Sequence, residues 1–116
     1  MSRRIERLNV LFRQELSDLI RRRVKDPRIA EFVTLTRVDV APDMESARIF
    51  VSVMGSEDEK KSTIVALAAA SGYLRRELSN ILTIRRVPQL HFFLDESLEE
   101  GARILRLIDE ISPKHT

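Results

Sequence analysis

Two β-rich runs joined by a tight turn constrain this chain more than any other stretch. Phe32 to Val40 gathers Val33, Thr34, Thr36, Val38 and Val40, the branched residues that suit a pleated, half-buried strand. Ala47 to Met54 alternates Ala47, Ile49, Val51 and Val53 with Arg48, Phe50, Ser52 and Met54. A period of two assigns the first set to a core and the second to the opposite face. Ala41-Pro42-Asp43-Met44 between the runs is turn chemistry: Pro presets its backbone angle and Asp tolerates tight turns. So short a connection makes the pair an antiparallel hairpin. The apolar phase slips between Leu35 and Val38, which predicts a bulge near Thr36-Arg37.

Helical patterns flank the hairpin. Ile5, Leu8, Leu11, Phe12, Leu16, Leu19, Ile20 and Val24 follow the three-and-four spacing of one helix face. That helix should begin near Ser2 or Arg3 and stop at Lys25-Asp26, because Pro27 disfavours a helical residue before it. Its last turn holds Arg21-Arg22-Arg23, continued by Lys25 and Arg28. Cations there complement the helix dipole; the same cluster can also neutralise phosphates. After the hairpin, Ser56-Glu57-Asp58-Glu59 reads as a capping box, opening a helix through Ile64, Val65, Leu67 and Ala68.

That helix runs into Ala70-Ser71-Gly72, where small residues and a glycine interrupt it. Glycine inside a helix costs roughly 1 kcal/mol against alanine. A break is expected there, with Gly72 supplying the backbone freedom for the bend and the helix resuming from Tyr73 to about Ile81. The second segment should bury Leu74 and Leu78, with Ile81 next on the same face. Leu90 to Leu94 is a third strand after Val87-Pro88. Ser97-Leu98-Glu99-Glu100 reads as a second capping box, and Leu98, Ala102, Leu105, Ile108 and Ile111 form the apolar stripe of a last helix. Ser112-Pro113 should close it, leaving a short frayed tail after residue 112.

The order is helix, strand, strand, kinked helix pair, strand, helix. It predicts an α+β fold, one domain over residues 1–116, with helices on one face of a three-stranded mixed sheet. The helical crossover favours parallel pairing of the second and third strands.

A catalytic or metal site is not expected. The chain has no cysteine and two histidines, His91 in a strand and His115 in the tail, without partners at metal-ligand spacing. Ser71 before Gly72 lacks the glycine two residues earlier that a nucleophile elbow requires, since Ala69 stands there. Three glycines leave no phosphate-binding glycine-rich loop. No apolar run reaches membrane-spanning length and no signal-peptide pattern opens the chain, so a soluble, cytoplasmic protein is expected. No small-molecule substrate and no cofactor are implied, and a monomer is expected.

Charge carries the functional signal. Lys, Arg, Asp and Glu make up 33% of the chain for a net charge of only +2. The basic residues are segregated as Arg21-Arg22-Arg23-Lys25-Arg28, Arg75-Arg76 and Arg85-Arg86, bracketing two helix junctions. That suits the phosphates of a structured RNA. Aromatic residues are 5% of the chain, and the phenylalanines mostly fall where a core wants them. Base stacking on single strands is therefore not expected. A protein–protein adaptor using the acidic helix N-termini is the alternative.

Several segments, in this order and spacing, carry a family likeness. They are Arg3-Ile5 through Asp26-Pro27-Arg28; Val33 to Val40 with Pro42-Asp43; Ala47 to Val53; Leu74-Arg75-Arg76-Glu77-Leu78; and Arg85-Arg86-Val87-Pro88-Gln89-Leu90-His91-Phe92 with Asp95-Glu96-Ser97. Over nearly its whole length the chain resembles bacterial ribosome-binding factor A. The resemblance implies a KH-like fold of the second topological type, in which an Ala-X-Gly kink, matched by Ala70-Ser71-Gly72, replaces the usual GXXG loop. It further implies a non-enzymatic factor that binds the small (30S) ribosomal subunit and ribosomal RNA. Such a factor assists late maturation of 16S rRNA near its 5′ end and supports growth in the cold. Longer members carry a polar C-terminal extension, which is missing after Pro113 here. Ser79, Asn80 and Thr83 stand where relatives often have basic residues.

Overall fold

The computed structural model describes residues 3–111. Its elements are α1 (Arg3–Arg23), β1 (Phe32–Val40), β2 (Ser46–Met54), α2 (Glu57–Ala69), α3 (Ser71–Leu82), β3 (Gln89–Leu94) and α4 (Ser97–Ile111). The three strands form one sheet in the order β1-β2-β3, antiparallel then parallel. Both pairings are as expected, and the register shifts between Leu35 and Arg37, at the anticipated bulge. The turn closes with the Ala41 amide donating to the Ser46 carbonyl at 2.9 Å, and Met44 takes a positive φ of 60°.

The core lies between the sheet and helices α1 to α3. The inward sets Val38, Val40, Ala47, Ile49, Val51, Leu90 and Phe92 meet Phe12, Leu16, Leu67, Leu74 and Leu78. Burying a side chain of this size stabilises by about 1.5–3 kcal/mol. Asn9 on α1 accepts the Val40 amide at 2.8 Å, tying the helix to the sheet's edge strand.

The helix pair meets at one residue. Ala70 has φ −85° and ψ −2°, off the helical minimum, yet its amide still donates to the Ala66 and Leu67 carbonyls at 3.0 and 3.1 Å. Its own carbonyl accepts the Leu74 amide at 2.9 Å. The junction thus changes helix direction while keeping backbone bonds on both sides. Gly72 is not the hinge expected from the sequence. It lies inside the first turn of α3 without a positive φ, and a Cβ there would meet nothing within 4 Å.

The helices correct the expected burial of Ile81 and add two patterns of their own. Ile81 is 47% exposed, because the buried face of α3 runs through Leu74, Leu78 and then Leu82, which packs against the core; the helix ends at Thr83 in the left-handed region, φ 51°. In α2 the buried positions include Lys60 and Thr63, while Val65 and Ala68 face outward. Thr63 is buried because its hydroxyl is fully used: it accepts the Ala30 amide at 2.9 Å and donates to the Glu59 carbonyl at 2.7 Å. The described members of the α4 stripe are exposed, Leu105 at 67% and Ile108 at 51%; Leu98, Ala102 and Ile111 have side chains outside those described.

The first capping box forms as read: the Ser56 amide donates to Glu59 and the Glu59 amide to the Ser56 hydroxyl. At the second, the acceptor is Asp95, two residues before Ser97. Asp95 takes the Ser97 amide at 3.0 Å and the Thr36 hydroxyl at 2.6 Å, and it also bonds the Ser97 side chain. These bonds hold the Asp95 carboxyl down at about 2. The tail after Ile111, with its expected fraying and His115, lies outside the described residues.

Candidate nucleic-acid interface

The end of α1 and the outer side of α3 are neighbours. Arg23 reaches Glu77 at 3.9 Å, and the Tyr73 hydroxyl donates to the same carboxylate at 3.2 Å. Packing of Leu74 and Leu78 on the core turns Gly72, Arg76 and Asn80 outward, one helical turn apart. Ala68 and Ala69 at the end of α2 are exposed beside them. No side chain caps the start of α3. Small side chains, open backbone and a guanidinium therefore share one surface at the helix junction.

The predicted basic residues divide by what already holds them. Arg21 and Arg22 both pair with Asp18, at 2.8 and 3.3 Å, on the exposed side of α1. Arg21 and Lys25 also rim a groove of about 660 Å³ whose floor includes Val24, Ile29, Val33 and Leu35. Arg28 closes a forked pair on Asp26, with distances of 2.7, 3.1 and 3.2 Å. The Arg28 side chain and then its amide hold the Asp26 carboxyl below the usual carboxylate range. The Arg28 carbonyl is fastened to α2 by the Ser62 hydroxyl at 3.0 Å.

Arg75 turns inward. Its Nη2 donates to the Val87 carbonyl at 2.9 Å, and its Nε is buried without a partner. It bridges α3 to the connection that leads into β3. Arg75 and Arg86 line a second, smaller groove together with Asp43 and Glu45 of the hairpin turn. Arg85 is exposed. Among the described residues no ion pair holds Lys25, Arg76, Arg85 or Arg86. These four carry the charge left available to a polyanion. Ser71 is half-buried at the head of α3.

Among the described residues no cluster of His, Asp or Glu is arranged to hold a metal ion, and no helix is long and apolar enough to cross a membrane.

Contrary to expectation, the phenylalanines are not mostly in the core; three of the five face outward. Phe12 and Phe92 are buried, but Phe32, Phe50 and Phe93 lie on the face of the sheet away from the helices. Two signals pointed that way. Phe50 belongs to the outward set of β2 with Arg48 and Ser52, and Phe92-Phe93 are adjacent in a strand, so one of them must face out.

Residues 4–108 match the family model described as ribosome-binding factor A. The chain belongs to the ribosome-binding factor A family. A member from Dictyoglomus thermophilum is 50% identical over 111 residues, covering 96% of this chain and 92% of that one. A member from Pelobacter propionicus is 45% identical over 115 residues, covering 99% and 93%. The fold agrees with the solution NMR structure of a Thermotoga maritima protein, with a TM-score of 0.73 at 28% identity, covering 85% of this chain and 93% of that one. The crystal structure of ribosome-binding factor A from Thermus thermophilus gives a TM-score of 0.71 at 22% identity, covering 80% and 97%. Coordinates of the Thermus thermophilus factor have also been fitted into a cryo-EM map of its 30S complex; they share the fold with a TM-score of 0.64 at 23% identity, over 76% and 91%. The family's αββααβ core, with a kinked helix pair crossing over between parallel strands, is thus the one built here by α1 to β3.

Proposed function

We propose that this ribosome-binding factor A homologue docks on the small ribosomal subunit through ribosomal RNA phosphates. The docking surface is the helix junction and the basic groups around it. The observation that carries this reading is the surface at Ala70, Ser71 and Gly72. It combines the exposed Gly72, half-buried Ala70 and Ser71 and a helix start without a side-chain cap with the exposed Arg76 one turn on. Lys25, Arg85 and Arg86 add unpaired charge, Arg21, Arg22 and Arg23 add the basic end of α1, and Arg28 and Arg75 hold the framework beneath them. Backbone amides at a helix start and unpaired guanidinium groups both favour phosphate.

On the same reading the chain acts as one domain, as a cytoplasmic monomer and without catalysis. It assists late maturation of 16S rRNA near its 5′ end and supports growth in the cold. Family membership supports this.

The test is co-sedimentation with small subunits across a salt series. Each phosphate that the protein ceases to neutralise should flatten the logarithmic salt slope by about one. Charge reversal at Arg76, Arg85 and Arg86 is expected to weaken binding and flatten the slope. Unchanged binding by that triple variant would overturn the proposed surface.

A further inference from the structure

The face of the sheet turned away from α1, α2 and α3 is built in rows of planar groups. Register places Arg37 of β1, Phe50 of β2 and Phe93 of β3 side by side across all three strands. The Arg37 guanidinium sits 4.3 Å from the Phe50 ring centroid, and the Phe50 and Phe93 centroids are 5.8 Å apart. The next row is Asp39, Arg48 and His91. Two residues along a strand separate the rows, about 6.6 Å. Phe93 is 44% exposed, and Phe32 and Met54 continue the apolar surface at one end. None of α1, α2 and α3 lies on this face, which holds Phe93 exposed and Ser52 buried between its neighbours.

Two guanidinium groups, Arg37 and Arg48, give this face points of contact for a phosphate. The one carboxylate within the two rows, Asp39, is already paired to Arg48 at 2.7 Å. Arg37 has no ion pair among the described residues. Asp95, at the margin, is hydrogen-bonded to Thr36 and Ser97 and also feels the charge of Arg37. Rings and guanidinium planes interleaved in this way match the stacked faces of unpaired bases and the phosphates between them. An apolar protein partner would call for a drier centre with fewer charges.

We propose that the open sheet face is a second RNA surface, distinct from the helix junction, that takes an unpaired segment by stacking bases on Phe93 and on the Phe50–Arg37 pair. The helix junction then grips backbone phosphates while the sheet holds a single strand. This deepens the RNA reading above and rests on it.

The chain contains no tryptophan, so Phe93→Trp places a lone reporter on the face. Its emission is expected to be quenched by short adenosine or uridine oligoribonucleotides and left unchanged by a duplex of equal length. Phe93→Leu keeps an apolar side chain without the ring, and its fold is checked by cooperative thermal unfolding. It should bind the single strands roughly 5- to 100-fold more weakly, the range for losing one stacked base, and the duplex as before. Unquenched emission together with wild-type oligonucleotide affinity in Phe93→Leu would overturn the proposal. So would a Phe93→Leu variant that loses small subunits yet keeps oligonucleotide affinity, because the face would then be touching protein. Wild-type co-sedimentation with subunits is measured in parallel. A failure there bears on ribosomal docking, while the oligonucleotide series decides the sheet.

Discussion

The guanidinium of Arg75 donates to the carbonyl of Val87, 2.9 Å away across the turn between α3 and β3. Pro88 follows and has no amide hydrogen, so the chain enters β3 through a residue that can donate nothing to the sheet. Arg75 satisfies the acceptor just before it, the Val87 carbonyl, from the neighbouring helix. Two adjacent arginines, alike in sequence, therefore differ in kind: Arg75 is half-buried structure and Arg76 exposed charge.

Arg75→Ala should lower stability by about 1–3 kcal/mol, the usual cost of stranding a buried partner, whereas Arg76→Ala should stay within about 0.5 kcal/mol of wild type. Urea unfolding of both variants measures this. Equal stabilities would mean that the Val87 carbonyl finds water as readily as it finds Arg75.

Gly72→Ala separates folding from binding. A Cβ at Gly72 meets no neighbour and the backbone is ordinary helix, so the variant should match wild type or gain up to about 1 kcal/mol. Affinity for small subunits should nevertheless fall, because the new methyl stands where a phosphate would approach the backbone. Urea midpoints and co-sedimentation on the same preparation give both numbers. Retained affinity would show that nothing comes close to Gly72.

Thr83 ends α3 in the left-handed region, where a branched residue is strained. Thr83→Gly should raise the unfolding free energy by roughly 1 kcal/mol, less whatever the freer unfolded chain takes back. Differential scanning calorimetry should show a higher midpoint, and a lower one would mean that the threonine side chain contributes more than its backbone costs.

Asp95 gives stability an acid limb. Its carboxyl titrates at about 2 in the fold against 3.8 ordinarily, through bonds from Ser97 and Thr36. A depressed carboxylate stabilises the fold above its ordinary value, and that contribution disappears as pH falls through the folded value. Asp95→Asn should therefore be less stable than wild type at neutral pH, and the gap should close between about pH 4 and pH 2. A pH series of urea midpoints reads it; a gap that stays constant to pH 2 would assign the difference to packing.

The hairpin was legible because its signals are local. Alternation from Ala47 to Val53, turn residues at Pro42 and Asp43, and the phase slip at Leu35 each act within a few positions, and the register follows them. Ser56 and Glu59 are three residues apart and found each other as read. What escaped depends on distant partners. Thr63 looks like a surface residue until the Ala30 amide, 33 positions away, is brought to it. Arg28 looks like part of a phosphate cluster until Asp26 folds under it. The phenylalanines were expected mostly in the core, although strand alternation at Phe92 and Phe93 already sent one of the two outward. At α4 the stripe was legible, but a stripe cannot say whether its own domain covers it, and Leu105 and Ile108 stand exposed.

The central place of β2 sets an order in time. One edge pairs with β1, a turn away, while the other waits for β3, which arrives only after α2 and α3. Hairpins close in roughly 1–10 μs, so β1 and β2 can associate long before the crossover is complete. On a ribosome making this chain, the hairpin emerges with its second edge unpaired until Gln89–Leu94 follows. During that interval the strand edge is open to other chains, and prompt folding of the α2–α3 hinge is what shortens the exposure.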